Sequence, residues 1–451
     1  MIDSFFLDCK LLSFIKSREI RILIVVGLLF RLVLSILYFN VTLFPDSDDY
    51  INLSKNLLNF DLNGYDGNRS PGYPFLIFLA FGSQKLVILY QFTLGIITSI
   101  LWYKISLKLQ FNTELSLYIA LLLESFLHVY FYETAILVEA FTLFFITLLF
   151  LQIANGYLDK KDWKTDVLMG FILWYLVLIK PFYIFLPFLI YGFSIIKNFN
   201  FKRIINRKII LLIFPLFTYF GWSYVNKINT GHFVSTSFFG LNLAQNCVYF
   251  SENTTPEYQW IGTIYAKYRI KNLKENDTIK KDINKHDLSM TIWYAQKELV
   301  TKKNNNFPDL SNDLGQYAIA TIKKNKIPYA KQVICYSWID FWKTSIYWNY
   351  TKFLVPFSNK FFLGFWYIQN VLLLLLKFSF LLICPFYIIK CFKTRKISFE
   401  FISVITILTT SILQALATYG TNSRFSYPFE FLMIIIVLSF IRNYFPEKYL
   451  K

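Results

Sequence analysis

Long unbroken apolar runs constrain this chain more than any other feature; residues 22–39, 86–101, 136–154, 209–224, 371–389 and 401–416 are among them. A helix apolar on one stripe packs against a soluble core, whereas one apolar all round must be buried on every side. About 20 such residues cross a bilayer core. The chain is 55% hydrophobic, above the roughly 45–50% of soluble domains. An all-α integral membrane fold is expected, with about ten spans. They fall near residues 20–39, 86–106, 114–131, 135–156, 166–179, 181–197, 208–226, 366–390, 398–417 and 427–442. No small-residue cleavage site follows the first run, so it is expected to be retained as a span rather than removed as a signal peptide.

The formal net charge is +18, from 46 basic and 28 acidic residues. In a soluble chain this would suggest nucleic acid. Here the short loops absorb much of it: Lys10, Lys16, Arg18 and Arg21; Lys197, Lys202, Arg203, Arg207 and Lys208; Lys390, Lys393, Arg395 and Lys396. Such clusters mark cytoplasmic loops, and no basic module interleaved with aromatics indicates a nucleic-acid partner. With the N-terminus inside, ten spans place residues 40–85 and 227–360 outside and return the C-terminus to the cytoplasm. The chain then divides into an N-terminal membrane module (1–226), an external and mostly helical region (227–360) and a C-terminal membrane module (361–451). Residues 314–345 read as helical, with Tyr336, Trp338, Phe341 and Trp342 suited to interfacial anchoring. Five cysteines show no metal-ligand spacing. Cys247 and Cys335 share the external region but are not expected to pair.

The first external loop carries Asp46-Ser47-Asp48-Asp49-Tyr50 and then Arg69-Ser70-Pro71-Gly72-Tyr73-Pro74. Carboxylates do nothing for membrane insertion, so their concentration at a span exit indicates chemistry at the membrane surface. Residues 72–85 are too short to cross and are expected to lie at the outer interface.

Asp46-x-x-x-Tyr50, Asn56-Leu57-Leu58 and Arg69-x-Pro71-Gly72-Tyr73-Pro74 resemble the first external loop of GT-C type glycosyltransferases. These polytopic enzymes take sugars from polyprenyl-phosphate carriers and include the protein mannosyltransferases and the aminoarabinose transferase of lipid A. Three more stretches are similar in order and position. Leu137-Val138-Glu139-Ala140-Phe141 corresponds to the acidic residue of the second external loop. Ile179-Lys180-Pro181 corresponds to an Arg-Pro span junction, with Lys in place of Arg. Ser423-Arg424-Phe425-Ser426-Tyr427-Pro428 corresponds to a late Arg-aromatic element. The likeness is closest to the bacterial branch and covers most of 20–225 and 360–442.

The resemblance implies an inverting transfer of a sugar from a polyprenyl phosphate to an acceptor at the outer face of a bacterial cytoplasmic membrane. Such a reaction needs a base for the acceptor hydroxyl, cations for the leaving phosphate and a groove for the prenyl tail. Asp46 is the expected base, with Glu139 orienting it or a substrate hydroxyl. Arg424, Arg69, Lys180 and Lys85 all fall at external span ends and are the expected phosphate ligands. Arg offers a bidentate fork and Lys a point charge. Tyr50, the last residue of the Asp-x-x-x-Tyr string, is grouped with them. Each has a plainer reading: Asp46, Asp48 and Asp49 as helix caps, and the cations as snorkelling side chains. No metal is assigned. A divalent ion, if used, would take Asp46, Asp48 and Glu139. Arg31 and Glu124 lie inside spans and are expected to neutralise each other or another polar group. The three histidines have no triad or ligand spacing.

Two other functions fit a chain of this shape. A polysaccharide polymerase or ligase would use external Arg and His, and only His232 and His286 are placed outside. A transporter or lipid flippase would need broken helices and polar pairs at the midplane, whereas most candidate residues here sit at span ends.

Overall fold

The computed structural model describes residues 17–38, 40–197, 206–278 and 288–444, without the side chains of 274–278. Cys9, Lys10, Lys16, Lys202, Arg203 and His286 therefore lie outside the described residues. Among the described residues all regular structure is helical, apart from one isolated parallel bridge between Thr42 and Ala135.

The N-terminal module runs through α1 (Arg18–Leu37), α2 (Pro45–Leu58), α3 (Gly72–Leu79), α4 (Gln84–Lys108), α5 (Thr113–Glu124), α6 (Leu127–Glu133), α7 (Glu139–Ala154), α8 (Trp163–Ile179), α9 (Phe185–Lys197) and α10 (Ile210–Thr230). The middle region holds α11 (Phe239–Gln245), α12 (Gln259–Thr278), α13 (Thr291–Lys303), α14 (Phe307–Lys324), α15 (Lys326–Gln332) and α16 (Trp338–Trp342). The C-terminal module comprises α17 (Ser358–Thr394), α18 (Phe399–Ala417), α19 (Asn422–Ser426) and α20 (Glu430–Tyr444). Helix starts are written in the sequence. Ser17, Ser83, Asn112, Asp162 and Ser398 each accept a first-turn amide at the heads of α1, α4, α5, α8 and α18, as short polar N-caps do.

All ten expected spans are helical, but the count of ten is not met by length. Six helices are long and apolar enough to cross a membrane, and a seventh crossing arises if α5 and α6, bent by 59°, form one. The other three fall short. α7 has 16 residues, α8 has 17, and Pro181–Lys197 is again a short apolar helix. At a rise of about 1.5 Å per residue, each covers about 25 Å of a core about 30 Å thick. The reason is local. Lys180 is extended (φ −141°, ψ 112°) and Pro181 opens a 3-10 turn, so one long apolar stretch becomes two short rods. The long apolar helices describe a multi-pass membrane protein.

Contacts sort the helix ends into two sets. At one end Asp159 pairs with Lys197 (2.7 Å), Asp166 with Arg207 (2.6 Å), and Arg442 donates to the Leu109 carbonyl (2.6 Å). The ends carrying residues 46, 139, 180 and 424 meet at the other, described below.

The middle region has its own core, formed by Leu241, Cys247, Tyr265, Ile292, Leu310, Leu314 and Tyr317, with Tyr419 entering from the C-terminal module. Cys247 is buried in it, Cys335 is exposed, and both are free. The expected interfacial aromatics behave differently. Phe341 is fully buried and Trp342 nearly so, both inside the core of the helical bundle. Trp338 donates to Ser411 Oγ (3.0 Å). They fasten the middle region to the bundle instead of standing free at an interface. Arg31 pairs with Glu124 (2.6 Å), as expected, and also with Glu133 (2.7 Å).

Candidate active site

Three local devices bring four distant loops together. First, Thr42 pairs with the extended chain ahead of α7: its amide donates to the Thr134 carbonyl (3.0 Å), and its carbonyl accepts from the Ile136 amide (3.1 Å). Ser47 Oγ, buried, donates to the Ile136 carbonyl (2.9 Å). The head of α2 is thereby tied to the head of α7, and Asp46 to Glu139. Second, Gly72 lies against backbone: a Cβ there would stand 2.6 Å from the Ile179 nitrogen. Ser70 Oγ donates to the Ile179 carbonyl (2.9 Å) and Tyr175 Oη to the Gly72 carbonyl (3.0 Å). The Ser-Pro-Gly turn is therefore clamped to the end of α8, beside Lys180. Third, the Asn422 amide donates to Asp340 (3.0 Å), while its side chain reaches the carbonyls of Ser337 (2.9 Å) and Thr418 (3.1 Å). This fixes the short helix that carries Arg424.

The side chains held this way form one ionic cluster. Arg424 Nη1 meets Asp46 Oδ2 at 2.7 Å, and its Nε and Nη2 both lie 3.0 Å from Glu139 Oε1. Lys180 Nζ lies 3.1 Å from the same Glu139 oxygen. Arg69 Nη2 binds Asp46 Oδ1 (2.9 Å) and Asp49 Oδ2 (3.0 Å). Aromatic faces back the cations: Tyr50 and Phe238 lie 4.7 Å and 4.6 Å from the Arg69 guanidinium, Phe425 lies 4.3 Å from Lys180, and Tyr347 lies 5.2 Å from Arg424. Cation–π contacts of this kind stabilise charge with little polar competition.

Helix periodicity separates the three aspartates. Positions i, i+3 and i+4 share a face, so Asp46, Asp49 and Tyr50 turn toward Arg69 while Asp48 is exposed. Asp49, absent from the expected site residues, is a member of the cluster, and its i+3 spacing from Asp46 is the signal that places it there. Burial would raise the Asp46 carboxyl, but Arg424 and Arg69 outweigh it and hold it well below the usual carboxylate range. Burial pushes Asp49 up, against Arg69. Burial also pulls the Lys180 ammonium down, against Glu139.

Asp46, Tyr50, Arg69, Lys180 and Arg424 line a cavity of about 260 Å³. Glu139 does not line it. Its side chain is fully buried behind Arg424 and Lys180, and Oε2 has no hydrogen-bond partner. Tyr50 lines the cavity and lays its ring face against Arg69. Lys85 is elsewhere: it lines a separate space of about 30 Å³ with Asn40 and Tyr130. The fallback metal set is not assembled. Both Asp46 oxygens face guanidiniums, Asp48 is exposed, and no three His, Cys, Asp or Glu among the described residues could hold an ion.

A second polar group supports the Arg424 segment. Glu430 bridges Lys377 (2.7 Å) and His128 (2.7 Å), and Lys377 donates to Ser426 Oγ (2.9 Å). Residues 128, 377 and 430 carried no spacing signal because they come from three separate helices. No known family matches the chain, and no curated protein matches it.

Proposed function

We propose that this protein is an inverting glycosyltransferase of the bacterial cytoplasmic membrane. It moves a sugar from a polyprenyl-phosphate carrier to an acceptor at the outer face. The observation that carries this reading is the convergence of Asp46, Arg69, Lys180 and Arg424, spread over most of the chain, around one cavity at a single end of the apolar bundle.

The cluster balances in charge: Arg69, Lys180 and Arg424 against Asp46, Asp49 and Glu139. Buried charges must be paired, and here each cation is held by a carboxylate rather than by an anion from outside. An entering phosphodiester competes with Asp46 for Arg424 and with Glu139 for Lys180. As the guanidinium turns to phosphate, the Asp46 carboxylate loses a partner and becomes a stronger base. It takes the acceptor's hydroxyl proton, and the hydroxyl oxygen bonds to the anomeric carbon. The bond from that carbon to the phosphate oxygen breaks, and its electron pair leaves on the phosphate facing Arg424 and Lys180. Glu139 acts as a positioning residue that aims both cations.

The test is transfer from a radiolabelled polyprenyl-phosphate sugar by the purified protein. Asp46→Asn should fold, bind carrier and lose about 10²–10⁴-fold in rate, the usual share of a general base. Wild-type rates in that variant would overturn the mechanism.

A further inference from the structure

The cavity has two chemically different halves. One is the ionic cluster. The other is built by the middle region together with loop one, and its described lining carries no charge: Asn68, Thr236, Phe238, Asn242, Met290 and Trp293 are typical of it. Phe238 and Trp293 pack 5.6 Å apart at 49°, which makes a tilted aromatic wall. Phe238 touches Arg69, so this wall starts where the ionic half ends.

Two side-chain amides and an indole nitrogen beside the wall are uncommitted, whereas Thr236 Oγ1 is engaged with the Asn68 carbonyl and the Phe238 amide. Asn242 makes a backbone bond to the Phe238 carbonyl (2.9 Å), and the Asn68 carbonyl accepts from Thr236 Oγ1 (2.9 Å). Neither side-chain amide, nor the Trp293 indole nitrogen, has a hydrogen-bond partner among the described residues. Gln245 is different: its amide is spent on the Ser289 carbonyl (3.1 Å) and on Thr418 Oγ1 (2.6 Å). Partly buried amides without partners, next to an aromatic face, match a ring with an apolar C–H face and a rim of hydroxyls. The lining beyond Arg69 offers a charged group no counter-ion of its own, which makes a charged ring costly to bury there.

Resting on the carrier reading above, we propose that this neutral half is the subsite for the donor's sugar ring, that it selects an uncharged pyranose, and that Trp293, Asn242 and Asn68 read it. Connectivity gives the assignment its direction. In a prenyl-phosphate sugar the ring is one oxygen away from the phosphate. With the phosphate at Arg424 and Lys180, the ring falls in the adjoining part of the same cavity. Phe238 then serves both halves, backing Arg69 on one side and continuing the sugar wall on the other.

The experiment compares binding of bare farnesyl phosphate with that of farnesyl-phosphate glycosides carrying glucose, galactose, glucuronic acid or aminoarabinose. Wild type should bind a neutral glycoside about 5-fold or more tighter than the bare carrier, the worth of one or two net hydrogen bonds. Trp293→Ala and Asn242→Ala should remove that gain and leave bare-carrier binding within about 2-fold. Trp293→Phe, which keeps a ring, should retain part of it and guards against misfolding. The proposal falls if neutral sugars add nothing over the bare carrier, if charged sugars gain equally, or if both variants leave donor binding intact and raise only the acceptor KM. Failure of the carrier reading looks different: the bare carrier then does not bind, and Arg424→Gln changes nothing. Saturation-transfer NMR with methyl glycosides tests the sugar wall in that case too. Contacts abolished in Trp293→Ala sustain the sugar wall, and their absence in wild type removes it.

Discussion

Single side chains decide whether the ionic cluster is functional or merely stable. Asp46 sits between two guanidiniums, and this sets a pH signature. A carboxyl held below its ordinary value of about 3.9 stabilises the fold fully above that value. The contribution is lost as pH falls through the depressed one. Asp46 therefore adds no slope to stability between about pH 5 and 8, and thermal unfolding of wild type should fall more steeply than that of Asp46→Asn below about pH 4. Parallel curves would mean that the ion pairs contribute nothing in solution. Glu139 is a harder case because it is fully buried and receives both Lys180 and Arg424 on one oxygen. Glu139→Gln leaves two buried cations short of a counter-charge, and breaking such pairs costs about 3–5 kcal/mol. Its melting temperature in detergent should drop well below that of Asp46→Asn, with carrier binding lost alongside. Asp46, Arg69, Lys180 and Arg424 were legible in the sequence because each lies in a short ordered motif at a span end. Asp49 was legible only through helix period. Phe238, Asn242 and Trp293 were not legible, since nothing local in a polar stretch tells which of its residues will face a cavity built partly by another module.

At the scale of elements, the informative parts are the breaks between helices. Lys180 reaches the cluster because α8 stops at Ile179, two residues before Pro181, and Arg424 because Gly420 and Thr421 turn the chain with positive φ (87° and 58°). The sequence showed where apolar stretches lie but not which would be cut short. A run that reads as two spans on composition is two rods too short to cross upright, since Pro181 removes a backbone donor at the joint. Gly72 is the most constrained of these joints. A methyl group there meets the backbone at Leu178 and Ile179 with no flexible side chain to give way. Gly72→Ala should cost about 1–3 kcal/mol, as overpacking does. It should also lift the Arg69 turn away from Lys180, so that proteolysis within residues 60–70 quickens and carrier affinity falls. Unchanged proteolysis would mean that loop one is held by the Arg69 pairs alone.

Across the whole molecule, the middle region is bolted to the loop that carries Arg424. Asn246 donates to the carbonyls of Ala415 (3.1 Å) and Leu416 (3.2 Å) and accepts from Ser337 Oγ (2.7 Å). Tyr329 Oη also reaches Leu416 (2.9 Å), and Tyr419 completes the region's own core. The last turn of α18 and the start of the Arg424 loop are thus tied to the middle region. Composition separated residues 227–360 from the bundle as a polar stretch, but it gave no sign of this bond, because the carbonyls that Asn246 satisfies belong to a distant helix end. Asn246→Ala removes all three hydrogen bonds; Leu416 keeps Tyr329 as a donor, but the buried Ala415 carbonyl loses its side-chain partner, at about 1–3 kcal/mol for such a group. If the middle region aims Arg424, hydrogen exchange in 415–426 should quicken in this variant together with that of 239–250. Carrier binding should weaken even though no cluster residue has changed. Exchange that quickens only within 239–250, with carrier affinity intact, would show that the Arg424 loop is held by Asp340, Ser337 and Lys377 without help from the middle region's core.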